Sequence, residues 1–206
     1  MTNPLHDHIT ATHDRLVERL DLAATAMADQ VGSREIVQKA DAFLVNTCRH
    51  TAAVCDLLLP LARRLLPDGQ QRVQEYVQQC RRMERTFVRA KQRLYGEAHH
   101  AATPWSEIWA AAIREFEALI SIERSLVADL ASAPAAASAR VLSGIRATTD
   151  HSPTRPHPNS PHTGPLSHVV RGLWARADRV WDAAEGRIVT DRPVPEVDDE
   201  VQDLAS

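Results

Sequence analysis

Three ionisable side chains fall on helical stripes that are otherwise apolar. His13 continues the series Leu5, Ile9, Leu16, Leu20, Ala23 and Met27; His50 lies among Phe43, Thr47, Val54, Leu57 and Leu61; Glu123 lies among Trp105, Trp109, Ala112, Phe116, Leu119, Leu126 and Leu130. An imidazole on such a stripe can ligate a metal or make a hydrogen bond inside a core. A carboxylate has fewer options, because an unpaired charge away from water is strongly unfavourable. Glu123 therefore needs His13, His50, an arginine or a metal ion as partner, or else it turns to the surface. Two chemistries fit the trio: a metal site made by His13, His50 and Glu123, or an imidazolium and carboxylate paired in a buried polar layer that fixes helix register. Both require the functional atoms within about 8 Å of one another, since ligand bonds to a shared ion are only about 2 Å each.

The remaining reactive residues point to weaker sites. His6, Asp7 and His8 cluster at the start of the first helix and read as surface, while His99 and His100 suit the negative end of a helix dipole. His151, His157, His162 and His168 sit in or beside a proline-rich spacer that mostly solvates its histidines, with transient metal binding as the alternative. Cys48 and Cys55 share a helical face in apolar surroundings that would quiet a thiol. Cys48, Cys55 and Cys80 form no C-x-x-C pair and read as reduced and buried. With neither a glycine-rich phosphate loop nor a G-x-S-x-G elbow, nothing supports an enzyme.

The elements that must position the trio follow from periodicity and punctuation. Asn3 and Pro4 open a first helix that Gly32 stops, and Ser33 caps a second that Pro60 interrupts near its end. After Pro67, Asp68 and Gly69, a third helix carries Val73, Tyr76, Cys80, Met83, Phe87, Ala90 and Leu94 at alternating spacings of three and four, and Gly96 closes it. Thr103 and Pro104 open the fourth. Four such helices with short connections predict an all-α fold, an antiparallel up-down-up-down four-helix bundle over residues 1–132.

Composition then shifts. Residues 133–165 form an Ala/Ser-rich stretch, with room for one short helix, followed by a Pro/His-rich linker that resists packing. Residues 166–186 predict an additional amphipathic helix, and the acidic residues 187–206 a disordered tail. Trp174 and Trp181, flanked by Arg171, Arg176 and Arg179, suit docking on the bundle, on a protein partner's groove or at a membrane surface; Asp178, Asp182 and Glu185 offset the arginines and argue against the membrane.

The chain has 206 residues and a formal net charge of -3, and its lysines and arginines form no single-sign face, which argues against nucleic acid as a partner. The apolar runs are short of the ~20 residues needed to cross a bilayer and no apolar export segment opens the chain, so the expectation is a soluble, cytoplasmic protein.

Over about Leu5 to Ala131 the chain resembles the hemerythrin-like HHE cation-binding family. His13 in THDRL stands where that family has its first-helix ligand, and His50, Leu57 to Leu59 and Pro60 follow the second-helix pattern of histidine, apolar run and proline. The resemblance implies the four-helix bundle and a two-iron centre. Yet Val54 stands where the H-x-x-x-E carboxylate would be, Leu119 replaces the fourth-helix histidine one turn before Glu123, and Cys80, Met83, Glu84 and Phe87 occupy the third-helix histidine region. A bridged iron pair needs several imidazoles and carboxylates converging on one layer. The family ligands that remain are His13, His50 and Glu123. The expectation is a non-enzymatic hemerythrin-like protein whose degenerate site serves a structural, interaction or stress-associated scaffold; the alternative is an iron-binding sensor or store for dioxygen, nitric oxide or metal.

Overall fold

The computed structural model describes residues 3–28, 32–94, 103–148 and 152–184. Among them all regular structure is helical: α1 (Pro4–Ala28), α2 (Ser33–Ala53), α3 (Leu59–Leu65), α4 (Gly69–Leu94), α5 (Trp105–Asp129), α6 (Ala135–Thr148) and α7 (Pro165–Ala184). No helix among these residues is long and apolar enough to cross a membrane.

The start of α1 is set by its sequence. The Asn3 side chain accepts from the Leu5 N–H at 3.0 Å, satisfying a donor that the first turn leaves orphaned, and Pro4 occupies the first helical position, where a missing N–H does no harm. The α1 stripe Leu5, Ile9, His13, Leu16, Leu20 and Ala23 is buried as its spacing requires. At α2 the expected cap moves by one: Gly32 holds the cap position and Ser33 is the first helical residue. Gly96, expected to end α4, and the histidines His99, His100 and His151 lie outside the described residues, as does the tail from 185 onward.

Between α2 and α3 the helix does not break; it widens. Pro60 has no N–H to give to a carbonyl one turn back, and the backbone takes up an extra residue over Val54–Leu58, so that the Leu59 N–H bonds to the Val54 carbonyl five residues earlier. This π-turn carries Val54, Cys55 and Leu58 into the core and leaves Asp56 at the rim. Gly69 then lets α4 start against the end of α3. A Cβ built on it would lie 2.3 Å from the Ala62 carbonyl oxygen and 2.8 Å from the Arg63 Cα, so only a residue without a side chain fits.

α1 packs on α2, α5 and α6, and α4 packs on α3 and α5. Their facing stripes form one apolar core. Phe43 of α2 is its aromatic centre, in edge-on contact with Phe87, Trp109 and Phe116 at ring separations of 5.6, 5.8 and 4.9 Å. His50 and Glu123 each lie seven residues beyond a member of this cluster, two turns or about 10 Å along α2 and α5. The core is thus layered, aromatic at one level and polar at the next.

The Pro/His-rich segment corrects an expectation. It is irregular, as its prolines demand, yet Ser152, Pro153, Thr154, Pro156 and His162 are buried. Its amides find an acceptor on α7: the Asp178 carboxylate, only 2% exposed, receives the Thr154 and Arg155 N–H groups at 2.9 and 3.0 Å. His157 stacks on Trp174 at 4.3 Å. Gly164, with φ of 99°, makes the left-handed turn into α7 that a side chain would oppose. Among the described side chains of α7 the apolar stripe is turned outward at three positions. The helix turns Ser167, Ala175 and Asp178 inward, anchors Arg171 on Asp56, and leaves Val169, Leu173 and Val180 exposed.

Candidate functional site

The helices bring the three predicted residues together. His13 of α1 and His50 of α2 both direct Nε2 at one carboxylate oxygen, Oε1 of Glu123 on α5, at 3.1 and 2.8 Å. Their rings meet edge to face with centroids 5.4 Å apart. His13 is 0%, His50 6% and Glu123 1% exposed, so the group sits inside the core and excludes bulk water.

Sequence reasoning missed a fourth member. Tyr76 of α4, fully buried, donates its hydroxyl to the other carboxylate oxygen, Oε2, at 3.1 Å. The signal was present, since Tyr76 lies on the α4 stripe facing α5, but an aromatic ring there reads first as core packing. With it, α1, α2, α4 and α5 each contribute one side chain to a single polar layer.

Burial alone would raise the Glu123 carboxyl; the His50 charge, the hydrogen bonds from His13 and His50 and the His13 charge outweigh it and hold the group well below its ordinary range. Glu123 is therefore a carboxylate and can only accept, which fixes a proton on Nε2 of both histidines. Tyr76 is shifted the other way: burial and the adjacent Glu123 charge push its hydroxyl well above its usual value, so it remains a donor.

One atom in the layer has no partner. Nδ1 of His13 is buried and makes no hydrogen bond. When His50 carries the charge and His13 is neutral with its proton on Nε2, this nitrogen is an orphaned acceptor, a milder defect than an orphaned N–H. A metal on Nε2 would force the proton onto Nδ1, where no acceptor waits; metal-bound histidines normally donate that proton to a neighbour.

The three ligand atoms of His13, His50 and Glu123 lie within 4.8 Å of one another, compact enough to close on one ion. A two-iron centre does not fit. Val54 and Leu119, at the positions where the resemblance calls for further ligands, are buried apolar residues in the core cluster.

On the outer side of His50 a cleft of about 230 Å³ opens, lined by His8, Arg15, Arg19, Asn46 and Arg146 among others. Burial and the neighbouring Arg146 and Arg15 charges lower the His8 pKa. The other N-terminal candidate, His6, lies at the surface beside Asp7 at 3.5 Å. The linker histidines behave differently from a solvated spacer: His162 bonds Glu84 at 2.8 Å and His157 lies 3.4 Å from Asp178. Cys48, Cys55 and Cys80 are buried and form no disulfide with one another. No family model, curated protein or solved structure matches the chain, so the meaning of the site is read from its own geometry.

Proposed function

We propose that the chain is a hemerythrin-like four-helix bundle, α1, the α2 to α3 helix, α4 and α5 running up, down, up and down, whose metal centre has been reduced to a polar layer. In this reading it is a non-enzymatic structural and interaction scaffold of the cytoplasm. The observation that carries it is the set of protein donors on Glu123: His13 and His50 on one oxygen, Tyr76 on the other. A carboxylate so satisfied is compensated without an ion, and a single imidazolium beside it leaves the layer neutral. The unpartnered Nδ1 of His13 supports the same reading, because it disfavours the metallated form. The interaction half rests on Val169, Leu173 and Val180 of α7, which share one exposed apolar face.

A second reading is favoured by the convergence of the ligand atoms within 4.8 Å: His13, His50 and Glu123 hold one iron, with Tyr76 orienting the carboxylate. Two imidazoles and a carboxylate leave coordination positions open, and iron held this way supplies a site for dioxygen or nitric oxide, as a sensor or store. Metal analysis and thermal melts separate the two. The scaffold reading expects less than about half an iron per chain and no iron-dependent rise in Tm. Stoichiometric iron that disappears in His50→Ala would overturn it in favour of the second.

A further inference from the structure

A second convergence of ligand types lies outside the polar layer. Cys80 and Glu84 sit one turn apart on α4, and His162 reaches them from the proline-rich segment 78 residues beyond Glu84. One ligand atom from each of the three lies within 4.8 Å of the others; Cys80 and His162 are buried and Glu84 is partly so. Cys55, carried inward by the π-turn, is buried nearby and lines the adjoining cavity. Beside them is a cavity of about 30 Å³ whose walls include Cys48, Cys55, Glu84, His162 and Arg171, with room for one small ion.

We propose that Cys80, Glu84 and His162, with Cys55 as fourth donor, form a structural site for a zinc-class divalent cation that fastens the proline-rich segment to the helical core. Thiolate sulfur, imidazole nitrogen and carboxylate oxygen are all zinc ligands, and thiolates select soft or borderline ions over magnesium and calcium. The geometry is close to what such a site needs. Zinc bonds of about 2.0 to 2.3 Å in a tetrahedron place donor atoms roughly 3.3 to 3.8 Å apart. His162 Nε2 and Glu84 Oε2, now 2.8 Å apart, would separate slightly, and the Cys80 sulfur, within 4.8 Å of both, would close in by at most about an ångström.

In the metal-free arrangement His162 Nε2 is directed at Glu84, the edge of the ring that an ion between them would meet. The ion would replace the His162 to Glu84 hydrogen bond, move the ring proton of His162 from Nε2 to Nδ1 and displace the Cys55 and Cys80 thiol protons to solvent, leaving an assembly of two thiolates, one carboxylate, one neutral imidazole and one divalent cation with net charge of minus one. Arg171, on the cavity wall, is hydrogen-bonded to the His162 carbonyl at 3.1 Å and paired with Asp56, which holds the His162 backbone beside the site. The consequence is mechanical. Glu84 and Cys80 belong to the core, His162 belongs to the C-terminal segment, and a shared ion ties one to the other.

Cobalt(II) added to the reduced full-length chain tests this, because only a sulfur-ligated ion gives intense near-ultraviolet thiolate charge-transfer bands, and tetrahedral cobalt gives strong visible ones. The expected result is one such cobalt per chain, displaced by zinc and retained in His50→Ala. Binding should weaken more than about 100-fold in Cys80→Ser and in His162→Ala, losses beyond those from outer-shell changes. His162→Ala lies in an irregular segment and leaves the core helices intact, so it reads the site even where Cys80→Ser perturbs folding. Zinc should also slow proteolytic cleavage within 152–164 in the native chain and leave it unchanged in His162→Ala. Cobalt binding without sulfur bands, or bands indifferent to His162→Ala, would overturn the proposal.

Discussion

His50 lies 2.8 Å from Glu123 across 73 residues of chain, and His13 shares the same carboxylate oxygen across 110. Contacts of this separation cannot form until the helices have packed, so the layer reports tertiary structure rather than local helix formation. Its energetics are lopsided. Breaking one member leaves the others buried and unpaired, while replacing the whole layer with apolar groups removes the desolvation penalty together with the attraction.

Glu123→Gln should therefore be the most damaging single change in the layer, lowering stability by about 3 to 5 kcal/mol in urea unfolding. The combined variant His13→Leu, His50→Leu, Glu123→Leu and Tyr76→Phe should fall near the native stability or above it. A combined variant whose loss equals the sum of the single losses would contradict a charge-compensated layer.

Tyr76→Phe removes one hydroxyl from Glu123 and keeps the ring in place, with no cavity created. A hydrogen bond to a charged acceptor predicts a loss of about 1.5 to 3 kcal/mol. Double-mutant cycles with Glu123→Gln should show strong coupling; additive effects would place the tyrosine outside the network.

Stability should fall in acid. The Glu123 carboxyl is held below its ordinary value of 4.5 by the histidines, so the unfolded chain takes up a proton there before the folded one does. The stabilisation is complete above that value and is lost progressively as pH falls toward the folded pKa. Denaturant midpoints measured between about pH 6 and pH 3 should decline in the native chain and flatten in Glu123→Gln. Equal slopes in the two proteins would mean that another group governs acid unfolding.

Gly69→Ala puts a methyl group 2.3 Å from the Ala62 carbonyl oxygen, a backbone atom that cannot swing aside. A loss of about 2 to 3 kcal/mol is expected from thermal melts, as for other forced overpacking. A loss below about 0.5 kcal/mol would show that α3 and α4 can separate at this turn without penalty.

The helices were legible in the sequence because each carries an apolar stripe of period 3.6, and the trio was legible because ionisable residues stand out on such stripes. Asn3 and Pro4 announce α1 by their chemistry, and the cap displaced from Ser33 to Gly32 is the ordinary uncertainty of a helix end. Tyr76 was hidden by its own ring, since periodicity registers the aromatic body and not the hydroxyl. The π-turn was announced only as an interruption at Pro60. His162 was hidden most deeply: a proline-rich stretch has no period to read, and its partner Glu84 lies on an element that gives no local hint of the encounter.

Asp178 holds the amides of Thr154 and Arg155, and these are the backbone groups that would otherwise exchange fastest in a segment without helix hydrogen bonds. The segment and α7 must consequently open as one unit. Deuterium uptake at Thr154 and Arg155 then serves as a clock for the departure of α7, set apart from the slower global opening that governs the amides around Phe43.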